Sequence, residues 1–350
     1  MKAPVKHHQG FICALFFTIL TVPLPGVSIA KEFDAALQLL DRMGRAAESL
    51  NYQGVFVYLR NNQLKAVRVI HKADKEGEYE RLVSLNGVPR EIVRNNELVT
   101  CILPDDKAVL VDEHHYPKVV ARGKNFHDNN GFSRRLPAKL KAMREHYRFS
   151  LGEPDRIAGR ETQQVVIIPK DQYRYGYRLW VDNETGLLLK TMMVGEGEGE
   201  RALEQMMFTS LLLPEEIPDT ALVPAVTGRE FSWREGEPLS VNAGDYESQW
   251  QVGWIPAGFT LVAHGRHLLP NGQVPVEHLV YSDGLSSVSI FIERIMHAQQ
   301  GHLHGFSNMG AVNVYGAIQA LHYLTVVGEV PHTTVKRMGK SIRYTGSDSD

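Results

Sequence analysis

The sequence predicts an α+β protein, with a long, strongly curved antiparallel sheet and helices in its larger N-terminal part and a small antiparallel sheet carrying one helix at its C-terminal end. Three observations lead there. Short apolar and alternating segments recur with hairpin turns between them, stretches at helical spacing interrupt them, and a proline-containing acidic stretch from 214 to 245 breaks every periodicity.

The first thirty residues set the compartment. Lys2 and Lys6 precede the apolar block "FICALFFTIL", Pro23 and Pro25 follow, and the small residues Ser28 and Ala30 close the stretch. This is the pattern of a secretory signal peptide cleaved after Ala30. The run is too short to span a bilayer comfortably, and no later one approaches the roughly twenty apolar residues a membrane helix needs. The mature chain is therefore expected to be exported and soluble. Cys13 leaves with the leader and has no lipobox after it, so Cys101 in "LVTCILPDD" is the thiol that remains. It reads as a strand residue whose neighbours Asp105 and Asp106 have the wrong sign for a reactive thiolate.

Charge excludes one class of function. Two of the 38 Lys and Arg and none of the 40 Asp and Glu lie in the leader, leaving 36 basic against 40 acidic groups, a net of −4. A general nucleic-acid binder would be strongly basic. A mature length of about 320 residues suggests two domains.

The elements follow in order. "KEFDAALQLLDRMGRAAESL" places Phe33, Leu37, Leu40 and Ala47 on one helical stripe. "NYQGVFVYLRNNQLKAVRVIH" then reads as two strands around Asn61-Asn62, with Val55, Val57 and Leu59 on one side of the first strand and Phe56 and Tyr58 on the other. Both faces are apolar. Leaving a large apolar side chain in water forgoes roughly 1.5 to 3 kcal/mol, so a helix, a second domain or a ligand should cover the two rings. Further strands are expected in "YERLVSLNGVPREIVR", "ELVTCILP" and "KAVLVDEHH", with turns at Asn86-Gly87 and Pro104-Asp105-Asp106.

Residues 134 to 148 return to helical spacing through Leu136, Leu140, Met143 and Tyr147, with Arg134, Arg135, Lys139, Lys141, Arg144 and Arg148 forming a basic, solvated side. Strands resume in "TQQVVIIPK", "YGYRLWVD", "GLLLKTMMVG" and "ALEQMMFTSLLL", the middle pair joined by a turn at 182–186. A sheet of this length can close partly into a barrel whose hollow receives a hydrophobic ligand or a helix. Beyond the linker, strands are expected in "WQVGWIPAGFTLVAHGRH", "VEHLVYSDGLSSVSIFIE", "GAVNVYGAIQ" and "HYLTVVGEV", with turns at Asn271-Gly272 and Asp283-Gly284. A short helix after Pro331, capped by Thr333 or Thr334, turns Val335, Met338 and Ile342 inward. Trp250, Trp254 and Phe259 read as core.

Catalysis finds no foothold. His297, His302 and His304 share one loop but lack a carboxylate or thiolate set of metal-ligand spacing, and His114-His115 is weaker still. "GEGEGE" at 195–200 has no following Lys-Ser/Thr, and its three Glu would repel phosphate. No GxSxG elbow occurs. The expectation is a non-enzyme without metal or cofactor.

The blocks "NYQGVFVYLR", "ERLVSLNGVPREIVR", "YRFSLGEPDRIAGRETQQVVIIPKDQYRYGYRLWVDNETGLLLKTMM", "GWIPAGF" and "GAVNVYGAIQALHYLTVVGEVP", in this order over about 31 to 342, closely resemble the RseB/MucB family. That resemblance implies a periplasmic negative regulator of the sigma-E envelope-stress response. It implies a LolA/LolB-like half-barrel at 31–213 with helices plugging its apolar face, a linker at 214–245 and a C-terminal domain at 246–345. The implied partner is the periplasmic domain of an RseA/MucA-type anti-sigma factor, shielded from a DegS-type protease and released when mislocalised lipopolysaccharide or another lipid is sensed. Phe56, Tyr58, Leu140, Met143 and Arg144 are the candidate lipid contacts. Partner contacts are placed only within the C-terminal domain and linker, and self-association is left open. The alternative is a periplasmic lipid or lipoprotein carrier, which would have no need of residues 246–345.

Overall fold

Alternation and turn chemistry fix most of the strands. In the computed structural model, which describes residues 25–96, 98–113, 143–195, 202–224, 232–235, 248–268, 275–295 and 304–346 (backbone alone at 25–31, 110–113, 232–235 and 267–268), helix α1 (Pro25–Ser49) leads into a 12-stranded sheet. Its strands are β1 (Tyr52–Arg60), β2 (Gln63–Asp74), β3 (Gly77–Ser84), β4 (Glu91–Asn95), β5 (Leu98–Leu103), β6 (Ala108–Glu113), β7 (Tyr147–Ile157), β8 (Arg160–Pro169), β9 (Gly176–Asp182), β10 (Leu188–Val194), β11 (Ala202–Leu212) and β12 (Ser232–Glu235). They lie in the order 12-6-5-4-3-2-1-11-10-9-8-7. All neighbours are antiparallel except β12, which joins β6 in parallel.

The second body holds β13 (Trp250–Val252), β14 (Thr260–Leu268), β15 (Pro275–Ser282), β16 (Ser287–Arg294), β17 (Gly305–Met309), β18 (Val312–Gln319), β19 (His322–Gly328), α2 (His332–Ser341) and β20 (Ile342–Tyr344). Six of its strands form a sheet in the order 14-15-16-19-18-17, and β13 pairs with β20. Helix α2 lies on the six-stranded sheet, with Val335 and Met338 fully buried. The fold class expected from the sequence is the one observed.

The Asn61-Asn62 turn illustrates why. Both residues have left-handed φ, 50° and 62°, which is what a two-residue hairpin loop matching the strand twist requires and what Asn tolerates. The expected turns at 86–87, 104–106, 182–186 and 283–284 also fall between strands. The one at Asn271-Gly272 and residues 114–142, including Leu136 and Leu140, lie outside the described residues.

Two expectations are corrected. Tyr147 and Arg148 end no helix: they open β7, pairing with Pro169 and Ile168. The strand escaped notice because Gly152, Glu153, Pro154, Asp155 and Arg156 interrupt its alternation, and its register shifts between Leu151 and Pro154. The stretch expected to be a plain linker adds β12 to the sheet, and upstream of β12 it is tied down where Arg81 Nη1 donates to Ala221 O at 3.0 Å and Lys72 Nζ meets Asp219 at 2.6 Å.

The main core forms where α1 crosses the sheet. Ala36, Leu40 and Met43 are fully buried against Val165, Ile167, Leu179 and Val181. Phe33 meets Phe149 edge-on at 5.8 Å, and Arg42 Nη2 donates to Asn183 O at 2.9 Å and to Glu184 O, pinning the helix to the β9–β10 turn. We expect Leu40→Ala to lower stability by about 2–5 kcal/mol, while Glu48→Ala on the exposed side stays within about 0.5 kcal/mol. Urea unfolding of residues 31–350 distinguishes the two; equal effects would mean that α1 is not part of the core.

Candidate functional site

Phe56 and Tyr58 occupy one face of the large sheet by register: Phe56 stands opposite Phe208 on β11 and Val67 on β2, and Tyr58 opposite Met206. Both rings are buried among Tyr52, Val67, Val69, Leu82, Met206 and Phe208. Phe56 and Phe208 meet edge-on at 5.8 Å, and Tyr52 stacks on His71 at 4.7 Å. The alternate face carries Leu59, which is exposed. Protein side chains, then, supply much of the cover over the second apolar face.

At the end of β1 the cover comes from the other body. The Tyr58 hydroxyl donates to the Glu204 carboxylate, which Arg60 Nε approaches at 2.9 Å. Burial, and next the negative charge of Glu329 from the β19–α2 connection, push the Glu204 carboxyl above its ordinary range. Burial and Glu204 raise the Tyr58 hydroxyl in turn. Gly310, between β17 and β18, sits so close to the β1–β2 tip that a Cβ there would come within 2.6 Å of Asn61 Oδ1.

Met143 is buried in the same core as α1, and the Arg144 guanidinium lies 4.9 Å over the Phe33 ring. Leu140 lies outside the described residues. The four described candidate contacts thus do not form one open pocket: Phe56 and Tyr58 belong to one buried cluster and Met143 to another, with Arg144 over the N-terminal part of α1.

The two bodies meet along a polar seam that the sequence reading missed. The β8–β9 loop delivers Arg174, whose side chain is fully buried. Its Nη1 donates to Asp283 at 2.8 Å, its Nη2 to Ala257 O at 2.6 Å and its Nε to Asp171 at 3.1 Å. The Tyr147 and Phe259 rings flank it at 5.3 and 5.2 Å. Asp283 divides its two oxygens: Oδ1 accepts from Leu285 N and Ser286 N, shaping the β15–β16 turn, and Oδ2 accepts from Arg174 and from the Tyr147 hydroxyl at 2.8 Å. Burial, followed by Asp283, holds the Tyr147 proton far above the usual phenol range.

Neighbouring contacts extend the seam. Asn313 Nδ2 donates to the Tyr175 hydroxyl at 2.9 Å and to Val330 O at 2.7 Å, and Thr334 Oγ1 donates to Tyr173 O at 2.9 Å. Arg337 lies 4.1 Å over Trp254, which meets Tyr173 edge-on. Trp250 and Phe259 are core, as expected, and Trp254 is half-buried against the same cluster while meeting Tyr173 across the seam. A cation between tyrosines in "QYRYGY" and the Asp283-Gly284 turn were the visible signals. Nothing in sequence alone links positions 109 residues apart.

The arrangement suits holding and positioning. Among the described residues no group of three His, Cys, Asp or Glu stands together to hold a metal, with His297 and His302 lying outside them. Cys101 is partly buried, and burial raises its thiol pKa.

Comparison with known proteins assigns relatives to this architecture. The family model described as the MucB/RseB N-terminal domain matches residues 35–226, and that of the MucB/RseB C-terminal domain matches 244–343. The chain is 27% identical over 338 residues to the sigma-E factor regulatory protein RseB of Haemophilus influenzae, covering 94% of this chain and 98% of that one. It is 30% identical over 339 residues to the sigma factor AlgU regulatory protein MucB of Pseudomonas aeruginosa, covering 94% and 95%. Among solved structures, MucB in complex with MucA(peri) covers 89% of this chain at 27% identity with a TM-score of 0.65 and is itself covered in full. The Pseudomonas aeruginosa MucA/MucB complex gives 0.67 over the same share.

Two outcomes test the seam. Arg174→Ala leaves Asp283 buried without its cation and should cost about 3–5 kcal/mol, whereas Arg174→Met paired with Asp283→Leu should recover a large part of that loss. A single-mutant cost below 1 kcal/mol in urea unfolding would contradict the buried pair. For Glu204, a folded pKa above the unfolded one means that its contribution is fully present below the ordinary 4.5 and is lost as pH rises through the raised value. Glu204→Gln should flatten that loss, read as unfolding midpoints for both proteins from acid to neutral pH; parallel curves would contradict the shift.

Proposed function

Because the chain belongs to the MucB/RseB family, we propose that it is an exported, periplasmic negative regulator of the sigma-E envelope-stress response, without catalysis of its own. It holds the periplasmic domain of an RseA/MucA-type anti-sigma factor and keeps that domain from a DegS-type protease. The observation that carries this reading is the likeness over 89% of the chain to MucB solved in complex with MucA(peri). In this reading residues 31–213 and 246–345 act as two units, and the segment between them is the part that permits adjustment.

Release is assigned to lipopolysaccharide or another lipid. Phe56, Tyr58, Met143 and Arg144, with Leu140, are the proposed contacts. Because Phe56, Tyr58 and Met143 are buried, acyl chains reach them only when α1 or the second body gives way. A lipid shifts the equilibrium only in so far as it binds the partner-free form better than the bound one.

The test is titration of residues 31–350 with the periplasmic domain of the anti-sigma factor from the same organism, alone and with lipopolysaccharide, followed by exposure to the DegS-type protease. Binding that slows cleavage and that lipopolysaccharide weakens at least tenfold is expected. Failure to bind at micromolar concentration, with lipid uptake retained, would replace the regulator by the carrier reading.

A further inference from the structure

Sheet edges invite pairing unless charges, prolines or bulges blunt them. Three edge strands here are blunted or short. In β7 Glu153, Pro154, Asp155 and Arg156 accompany a register shift, β14 carries His264 and Arg266 with its own shift between Leu261 and Ala263, and β12 has only four residues. Strand β17, Gly-Phe-Ser-Asn-Met, has no charge, no proline and no shift in register against β18. No described strand pairs with its outer side, and Phe306 through Met309 are all exposed.

Register shows what that edge offers. Met309 and Val312 close the two-residue loop at Gly310 and Ala311, so Met309, Ser307 and Gly305 turn their backbone groups toward β18. Phe306 and Asn308 therefore present N–H and C=O outward. Phe306 and Met309 add exposed apolar side chains to the same strand.

Beside the edge stands a positive surface. The Phe306 ring meets the His332 ring at 5.6 Å, and Lys336 and Lys340 follow His332 at i+4 and i+8 along α2, all three exposed. Helix α2 contains no acidic residue. Lys336 and Lys340 thus put positive charge on the side of α2 whose first residue, His332, touches β17, which favours carboxylates on a strand laid along that edge.

We propose that the outer edge of β17, with the His332, Lys336 and Lys340 side of α2 beside it, takes an acidic, extended segment of the anti-sigma factor's periplasmic domain as an added strand. This rests on the regulatory reading above and names the surface that serves it. Backbone pairing through Phe306 and Asn308 supplies register, and the cations select the segment's charge.

Hydrogen exchange by mass spectrometry on residues 31–350, alone and saturated with the anti-sigma periplasmic domain, is the direct test, with Asn308→Pro and Lys336→Glu/Lys340→Glu as variants. Protection of the 304–311 backbone in the complex is expected, with about a tenfold or greater loss of affinity in each variant and weaker wild-type binding as salt rises. The charge-reversal variant leaves the backbone alone, so it guards against a folding defect caused by proline. Wild-type binding without protection at 304–311, and with both variants within twofold, would overturn the edge while leaving the regulator intact. No wild-type binding at all would sink both.

Discussion

The buried guanidinium of Arg174 is the constraint on which the arrangement of the two sheets depends. A charge taken out of water is tolerated only when partners replace its hydration, and a planar fork of five N–H donors needs acceptors in fixed directions. Asp171 from its own loop, Asp283 from the β15–β16 turn and the Ala257 carbonyl provide them. Two of those three belong to the other body, so sliding one sheet past the other would strand a charge. Apolar area alone sets no such register, because it rewards contact of almost any orientation. Asp283 is pinned as well, since its second oxygen is committed to the turn that displays it.

This seam also completes the larger core. Leu285, two residues beyond Asp283, and Ala311, two before Asn313, are buried in the cluster that α1 builds with β8 and β9. The second body therefore closes the same apolar face that α1 crosses, rather than resting on its rim. Tyr58 expresses the same dependence: its hydroxyl partner Glu204 is raised in pKa partly by Glu329 across the seam. Covering the face of β1 takes the neighbouring strands and the second body together.

Local signals made most of the fold legible. Asn61-Asn62 specifies a hairpin because few residues accept left-handed φ, and Leu40 announces a buried stripe because helical spacing repeats it on one side. Where a strand lies at an edge, that logic weakens: β7 tolerates Pro154 and adjacent charges because only one side must pair, and β17 shows no alternation for the same reason. The candidate contacts fared differently. Apolar alternation marked Phe56 and Tyr58 as covered, yet the covering groups lie far away in sequence. The Arg174–Asp283 pair was invisible for that reason too, since a loop arginine and a turn aspartate each have an ordinary local explanation.

The physical question posed by the proposed regulation is how events on the apolar face reach a partner held on the second body. Coupling requires two states that both ligands bias, and proximity does not supply it. In the proposed regulation the shared core is the element that would carry it. Any acyl chain that reaches Met143 would enter the cluster in which Leu285 and Ala311 are packed, and these lie within two residues of Asp283 and Asn313. Small displacements there would act on a buried charge that is costly to strand, so the proposed response of the seam is to hold or to part rather than to deform gradually. Ala311 lies in the loop between β17 and β18, and α2 begins two residues after Val330, whose carbonyl Asn313 holds. Parting of the seam would thus act directly on the edge strand and on the helix beside it, the two elements that the proposed partner segment would need in register.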